Sequence, residues 1–453
     1  MCRSLHVPLP AAGLLALVCL ASVSEAQDQT PPEPLSEPDV TVILQGKQRP
    51  PLRLAFPATQ GIGGLPSALA AGARVLERTL RADLDFSRIF DLRGPEQLAV
   101  LRLTGEQQRD FEIYRSLQNE ILLLTEVKSE AEKLVLEGRL YDLKSGLPIF
   151  GKRYRGTPRV VRRIAHTFAD EIILYFSARP GIALTSIAFT SDRSGFKEIY
   201  LMDYDGENQR PITAHKSISL FPGWSPTGDA IAYVSYFTRA PGIYLVDLAT
   251  GRKRTVINEG SLNISPSFSP EGRRIVFARS VGGGNSEIFI GNRDGSDLRR
   301  LTHASSIDTT PSWSPSGREI AFTSSRSGSP QIYVMDAEGA NLRRISLEGD
   351  YNDGASWDPE GTRLVYASRR SGRFQIVVSD VVTLESRLLT SGQGSNESPS
   401  FSPDGRKIVF ASKGGYGARS GRQLVVMDAD GRNPHLLTRE GNNSSPAWSG
   451  YRD

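Results

Sequence analysis

The chain has 453 residues, 39% of them apolar, with Gly 43 and Pro 28, enough for a sizeable buried core in one large repeat array plus a smaller domain. Its formal net charge is +4, and charges of both signs are interspersed instead of forming the Lys/Arg stripe of a dedicated nucleic-acid binder. Nucleic acid is therefore not an expected partner.

The N-terminus is read first. Arg3 precedes an apolar run from Ala11 to Ala21 and then Ser24-Glu25-Ala26, the pattern of a signal peptide over residues 1–26 cut after Ala26. The run is too short for a comfortable membrane span. Both cysteines, Cys2 and Cys19, fall in this leader, and Val18 stands where a lipobox places a small residue. The mature chain is then expected to be exported, with neither disulfide nor thiol chemistry. Residues 27–39 are rich in Pro and acidic residues and poor in apolar ones. They read as a flexible arm, either an inert lead-in or a peptide that folds onto a partner.

Residues 40–177 alternate between period 2 and period 3.6, as expected of a small mixed α/β domain. Strands are expected at Val40–Leu44, Leu52–Phe56, Leu122–Lys128, Leu134–Leu143 and Ile149–Tyr154. Helices are expected at Pro66–Leu84 and Arg159–Phe176, the second burying Val161, Ile164, Phe168, Ile172 and Tyr175. Gly61-Ile62-Gly63-Gly64 has neither the third glycine of a dinucleotide loop nor the Lys of a Walker loop, so it reads as a turn.

Residues 178–453 carry an internal repeat. Trp224-Ser225-Pro226-Thr227-Gly228 recurs at Phe268, Trp313, Trp357 and Phe401, with spacings of 44, 45, 44 and 44 residues. Such a period, with strand patterning inside each unit, marks propeller blades. In the unit around Trp313 four strands are expected, at Pro311–Ser314, Glu319–Ser324, Gln331–Asp336 and Leu342–Ser346, with Pro315-Ser316-Gly317 turning the first into the second. The second strand, Ile320-Ala321-Phe322, has counterparts beginning at Ile187, Ile231, Ile275, Leu364 and Ile408, apolar on both faces as a strand stacked between neighbouring blades must be. No anchor phrase precedes Ile187, and a worn copy, Ser445-Pro446-Ala447-Trp448-Ser449, stands at the end. Six blades follow, with the C-terminal strand completing the blade begun at Ile187. Arg299-Arg300 and Arg343-Arg344 on fourth strands are expected to guard the outer edge.

Few motifs promise chemistry. Asp203-Tyr204-Asp205-Gly206 and Asp428-Ala429-Asp430-Gly431 resemble the start of a calcium loop without its distal Glu, and read as Asx turns. His166, His215, His303 and His435 share no metal-ligand spacing, and His166 reads as a helix-surface or packing residue. No catalytic residue, metal or cofactor is implied. The connections from one blade to the next must crowd round one mouth of the channel, and they are polar: Asn263-Ile264-Ser265, Asp308-Thr309-Thr310, Asn352-Asp353-Gly354, Asn396-Glu397-Ser398 and Asn442-Asn443-Ser444. They are either a recognition ring for a protein or peptide, or plain solvated loops. An exported propeller enzyme or glycan binder with a channel-mouth site stands as the rival reading.

One stretch is more specific. His166-Thr167-Phe168-Ala169-Asp170-Glu171-Ile172-Ile173, followed by Ile187 to Asp203 (IAFTSDRSGFKEIYLMD), resembles the passage from small domain to first blade in the TolB family of the Gram-negative Tol-Pal envelope system. Arg139-Leu140-Tyr141-Asp142 and Lys152-Arg153-Tyr154 are similar to that family's N-terminal domain. The resemblance implies a periplasmic, non-enzymatic adapter associated only peripherally with the envelope. Such an adapter supports outer-membrane integrity and constriction at cell division, and protein import. Its implied partners are the peptidoglycan-associated lipoprotein Pal, TolA and further outer-membrane proteins. By position, the family's Pal contacts map to Ser265 and Thr309, and more loosely to Asn263, Asn396 and Asn443. Asp308, Thr310, Asn352, Asp353, Glu397 and Asn442 share that mouth. TolA contact maps to the arm, beginning Gln27, Asp28 and Gln29, which is longer and richer in Pro than the family's tail. The fifth blade departs from the pattern at Asp358, which replaces the anchor Ser, and in its Gly-free turn Val381–Glu385.

Overall fold

The computed structural model describes residues 50–281, 284–392, 394–418 and 421–451. The expected leader with its cleavage at Ala26, the arm with Gln27, Asp28 and Gln29, and the strand at Val40–Leu44 lie outside the described residues. Among the described residues no helix is long and apolar enough to cross a membrane.

The first part is a five-stranded sheet between two helical layers. Its elements are β1 (Leu52–Ala55), α1 (Ser67–Phe86), β2 (Phe90–Arg93), α2 (Pro95–Leu98), α3 (Gln107–Ser116), β3 (Ile121–Glu130), β4 (Lys133–Asp142), β5 (Leu147–Gly156) and α4 (Val161–Ser177). The sheet order is β2-β1-β3-β4-β5, with β1 parallel to both neighbours and the rest antiparallel. On one face Leu69, Leu76 and Leu80 of α1 and Phe168 and Ile172 of α4 pack on Leu54, Leu123 and Leu136 of the strands. On the other, Leu98, Phe111 and Tyr114 of α2 and α3 cover Leu122 and Tyr141. Alternate strand residues serve opposite faces, so one apolar strand feeds both layers. Gly138 lets α4 lie close, because a Cβ there would sit 2.3 Å from the Phe168 ring. Tyr175, expected in the buried face of α4, is half exposed, since the apolar stripe turns inward through Ile172 and Ile173 instead. His166, in contrast, is buried.

Six four-stranded sheets follow. Blades 2 to 6 are continuous in sequence, and blade 1 has the order 443–448, 186–191, 198–203, 210–211, so the C-terminal strand is its innermost member. Trp448 pairs with Ile187 and Asn443 with Ser191. The Trp448 indole donates to Thr185 Oγ1 at 2.9 Å and packs with Ile187, Phe189, Val409 and Val426, bridging blades 1 and 6. All six second strands are buried at their central positions; Ile320, Ala321 and Phe322 are typical, fully enclosed by the sheets on either side. The paired bases of the fourth strands bind acids of their own blades, Arg300 to Glu287 at 2.6 Å and Arg343 to Glu319 at 2.7 Å.

In every blade the innermost strand begins earlier than the sequence indicates. Around Trp313 it spans Asp308–Trp313. A bulge explains the extension: Thr310 takes a left-handed φ of 48°, the register shifts between Thr309 and Ser312, and pairing then resumes, Thr309 with Thr323 and Asp308 with Ser324. Phe221, Ser265, Gly354, Ser398 and Ser445 hold the same left-handed conformation at the equivalent place.

Trp448→Ala removes the packing that closes the ring. It is expected to cost about 3–5 kcal/mol, read as a lowered denaturation midpoint. A loss below about 1 kcal/mol would show that this strand is not the clasp.

Candidate partner-binding mouth

An antiparallel four-stranded meander puts its first and third turns at one end and its middle hairpin, with the connection to the next blade, at the other. The turn end carries the Ser-Pro-x-Gly turns and the 3–4 turns, and the α/β domain lies against it. Arg162 reaches Asp203 and Asp205, and Arg179 reaches Glu360. At this end the six anchor aromatics, Trp224, Phe268, Trp313, Trp357, Phe401 and Trp448, line the channel with the prolines and serines of their turns, round a cavity of about 310 Å³. The Asp-rich turns are Asx turns: the Glu207 amide donates to Asp205 Oδ1 at 3.2 Å, and the Arg432 amide to Asp430 Oδ1 at 3.0 Å. Among the described residues no group of three or more His, Cys, Asp or Glu could hold a metal ion.

The opposite, loop end carries the candidate residues, and they fall into classes by their place in the inner strand. Asn263, Asp308, Asn352 and Asn443 open their strands, Asn396 follows Ser395 at the start of its own, and all five are buried. The sequence places these five on connecting loops. The structure moves them onto strands, where the side chains of Asn263, Asn352, Asn396 and Asn443 reach back to the blade before and that of Asp308 bonds within its own blade. Asn396 Nδ2 donates to Gln375 Oε1 at 3.0 Å and Thr390 Oγ1 at 3.1 Å. The Thr390 hydroxyl donates to Gln375 Oε1 at 2.7 Å and accepts the Ile376 amide at 2.9 Å. Asn443 repeats this arrangement with Gln423 and Thr438, and Asn352 with Gln331, which also accepts from Ser346. Asp308 changes the chemistry: its carboxylate accepts from Ser324 at 2.6 Å and from Arg326 at 2.9 Å. Asn263 bonds only to carbonyls, those of Pro241 and Glu259. Buried amides seek partners, and the Nδ2 groups of these find theirs inward, while the Oδ1 atoms of Asn263, Asn352 and Asn396 are buried without a partner among the described residues.

The position after each of these is half buried at the mouth and holds Thr309, Asp353 and Glu397 in blades 4 to 6. Asp353 Oδ1 accepts the Thr310 hydroxyl at 3.0 Å and the Thr323 hydroxyl at 2.8 Å. Glu397 accepts from Arg422 at 3.1 Å on each carboxylate oxygen and from the Ser395 hydroxyl at 3.3 Å. Ser265 and Thr310 occupy the left-handed third position, Ser265 buried and Thr310 half buried. Asn442 is exposed in the connection, where its amide and side chain donate to Asp192 at 2.7 and 2.8 Å. Thr309, Thr310, Asp353, Glu397 and Asn442 are thus the polar candidates a partner could touch.

Sequence reading passed over an apolar rim. Phe196, Ile218, Phe237, Ile307 and Leu347 all project from loop-end hairpins and connections and are 43–60% exposed. His215 lies among them, 5.0 Å from the Phe237 ring centre, with its Nε2 2.8 Å from the Tyr233 hydroxyl. Burial lowers the pKa of His215 below the ordinary 6.5, favouring the neutral ring near neutral pH. Single exposed apolar side chains are commonplace, and five at one end of the ring make that end a candidate surface. The available signal was positional, since each interrupts a polar loop at the same end of the repeat.

The family model described as TolB beta propeller domain matches residues 175–452. The Tol-Pal system protein TolB of Geobacter metallireducens is 37% identical over 180 residues, covering 40% of this chain and 42% of that protein. The TolB of Syntrophotalea carbinolica is 35% identical over 218 residues, covering 48% and 47%. The matched part thus spans less than half the length of these curated relatives. The crystal structure of TolB from Acinetobacter baumannii superposes with a TM-score of 0.75 at 26% identity, covering 88% of this chain and 97% of that one.

The two classes of candidate separate by stability. Gln375→Leu leaves the Thr390 hydroxyl without an acceptor and removes one of the two acceptors of Asn396; it is expected to cost about 1–3 kcal/mol in thermal unfolding. Thr309→Ala should stay within about 0.5 kcal/mol of the parent. A neutral Gln375→Leu would contradict the inter-blade role of the amides.

Proposed function

We propose, from the premise that the chain belongs to the TolB β-propeller family, that it is a non-enzymatic component of a periplasmic Tol-Pal system whose loop-end mouth binds Pal. The observation that carries this reading is the apolar rim round a polar centre at the loop end. Phe196, Ile218, Phe237, Ile307 and Leu347 can be desolvated by a partner, while Thr309, Asp353 and Glu397 fix its register by hydrogen bonds. That is the apolar-anchor and polar-contact composition of a specific protein interface. The α/β domain lies against the turn end, which leaves the loop end for a second protein.

In the same reading residues 27–39 make the contact with TolA, starting from Gln27, Asp28 and Gln29. A proline-rich segment loses little conformational entropy when held extended by a partner. Binding at two places by one chain makes it an adapter, and support of outer-membrane integrity and of envelope constriction at division follows from joining those partners. No cofactor enters.

Retention on immobilised Pal and immobilised TolA tests the division of labour. Thr309→Arg puts a long cation at the mouth and is expected to weaken Pal retention by about tenfold or more. Val382→Arg, on a turn-end loop, should change it by less than about twofold. Deletion of residues 27–39 should abolish TolA retention and spare Pal. Equal Pal retention by the parent and Thr309→Arg would overturn the mouth assignment, and loss of both partners on deleting the arm would overturn the division.

A further inference from the structure

The α/β domain meets blade 1 through a buried polar cluster that plays no part at the mouth. Asp83, near the end of α1, is 2% exposed and lies between two donors from different elements. The Tyr204 hydroxyl, on the 3–4 turn of blade 1, donates to Asp83 Oδ1 at 2.5 Å, and His166 Nδ1 of α4 lies 2.8 Å from Oδ2. His166 Nε2 is buried without a hydrogen-bond partner among the described residues. One turn further along α4, Asp170 accepts the amides of Ala183 at 3.0 Å and Leu184 at 3.2 Å, on the segment that leads into the propeller. Glycine is required beside it, because a Cβ on Gly181 would stand 2.0 Å from Asp170 Oδ1. Two helices, the lead-in segment and a blade turn therefore converge on the buried Asp83 and His166 and the partly buried Asp170.

We propose that this cluster is a proton-operated latch: the α/β domain stays docked on blade 1 while the Asp83–His166 pair holds one proton between its members and Asp170 holds another, and separation of the two releases them.

The surroundings set the direction. Burial raises Asp170 from 3.8 to about 7, against the two amides that favour its charged form. Burial also raises Asp83, opposed by His166 and Tyr204. For His166 burial works to lower the value, but the hydrogen bond and charge of Asp83 outweigh it and the net shift is upward from 6.5. The charged groups facing these three are Arg162 on α4, paired with Asp205 and Asp203 of the blade 1 turn, and the Asp404, Arg406 and Lys407 group of blade 6, which lines the same crevice as Asp83. Tyr451 also lies near enough to Asp170 to feel its charge. His166 is raised by the charge of Asp83, so these two share one proton, and Asp170 adds a second; the docked state thus binds more protons than the separated one. The Asp170 contribution is complete below 3.8 and lost as pH rises through about 7. That of His166 is complete below 6.5 and lost above its raised value.

Amide hydrogen exchange on the full chain tests the latch, read at Ala183 and Leu184 with the intrinsic pH dependence divided out and blade 4 amides as the folding control. The opening constant should rise by up to about tenfold per pH unit between pH 5 and 7 and then level off. His166→Asn combined with Asp170→Asn should cut that slope by about half or more, with blade 4 protection unchanged. A flat wild-type profile across this range would overturn the proposal, and so would the wild-type slope surviving in the double variant. The first criterion is read on the native chain and stands even if the variant fails to fold.

Discussion

Ring closure is the constraint on which everything else depends. Each blade is apolar on both faces, as Ile320, Ala321 and Phe322 show, so a blade without two neighbours exposes a core surface to water. An open row of six would leave two such surfaces. The pairing of residues 443–448 with 186–191 removes both by making the last strand of the chain the first strand of the first blade. The inter-blade amides serve the same end. Asn352, Asn396 and Asn443 occupy one repeat position and reach back to Gln331, Gln375 and Gln423 of the preceding blade. They add directional bonds to a seam whose apolar contacts alone would tolerate sliding.

With the ring closed, its two ends differ in kind. Short turns with left-handed glycines, such as Gly317 at φ 69°, form the turn end, and the α/β domain covers part of it. The loop end keeps longer connections, exposed apolar side chains and a bulged inner strand in every blade. A left-handed φ on Thr310 costs about 1–3 kcal/mol, and the bulge that it creates sets the side chains of Thr310 and Asp353 together at the mouth. The proposed latch lies at the turn end, so partner binding and domain docking act on separate surfaces of one rigid ring.

Much of this was legible in the sequence, for physical reasons. Blade number, order and closure follow from the spacing of Trp224, Phe268, Trp313, Trp357 and Phe401, because a repeat that must stack on copies of itself cannot vary its core residues freely. β3, β4, β5, α1 and α4 are long and strongly periodic, and they appear where expected. β2, α2 and α3 did not, since four-residue elements and a charged ten-residue helix carry little periodic signal. The candidate residues of the loop end lie at that end, but five of them were misread as loop residues. An Asn beside a turn looks the same whether it faces water or a buried Gln, and only the bulge at the residue two places on decides that Asn396 points inward. Phe237 and Ile307 were missed because one apolar residue in a polar loop has no pattern of its own.

The central claim is that the loop end of the ring is where a partner protein sits. Site-specific photo-crosslinking measures it most directly, with the crosslinker at Ile307 on the loop end or at Val382 on the turn end and Pal as the added protein. The account predicts a covalent adduct from position 307 and none from position 382. An adduct from position 382 alone would place the partner on the wrong end and contradict it.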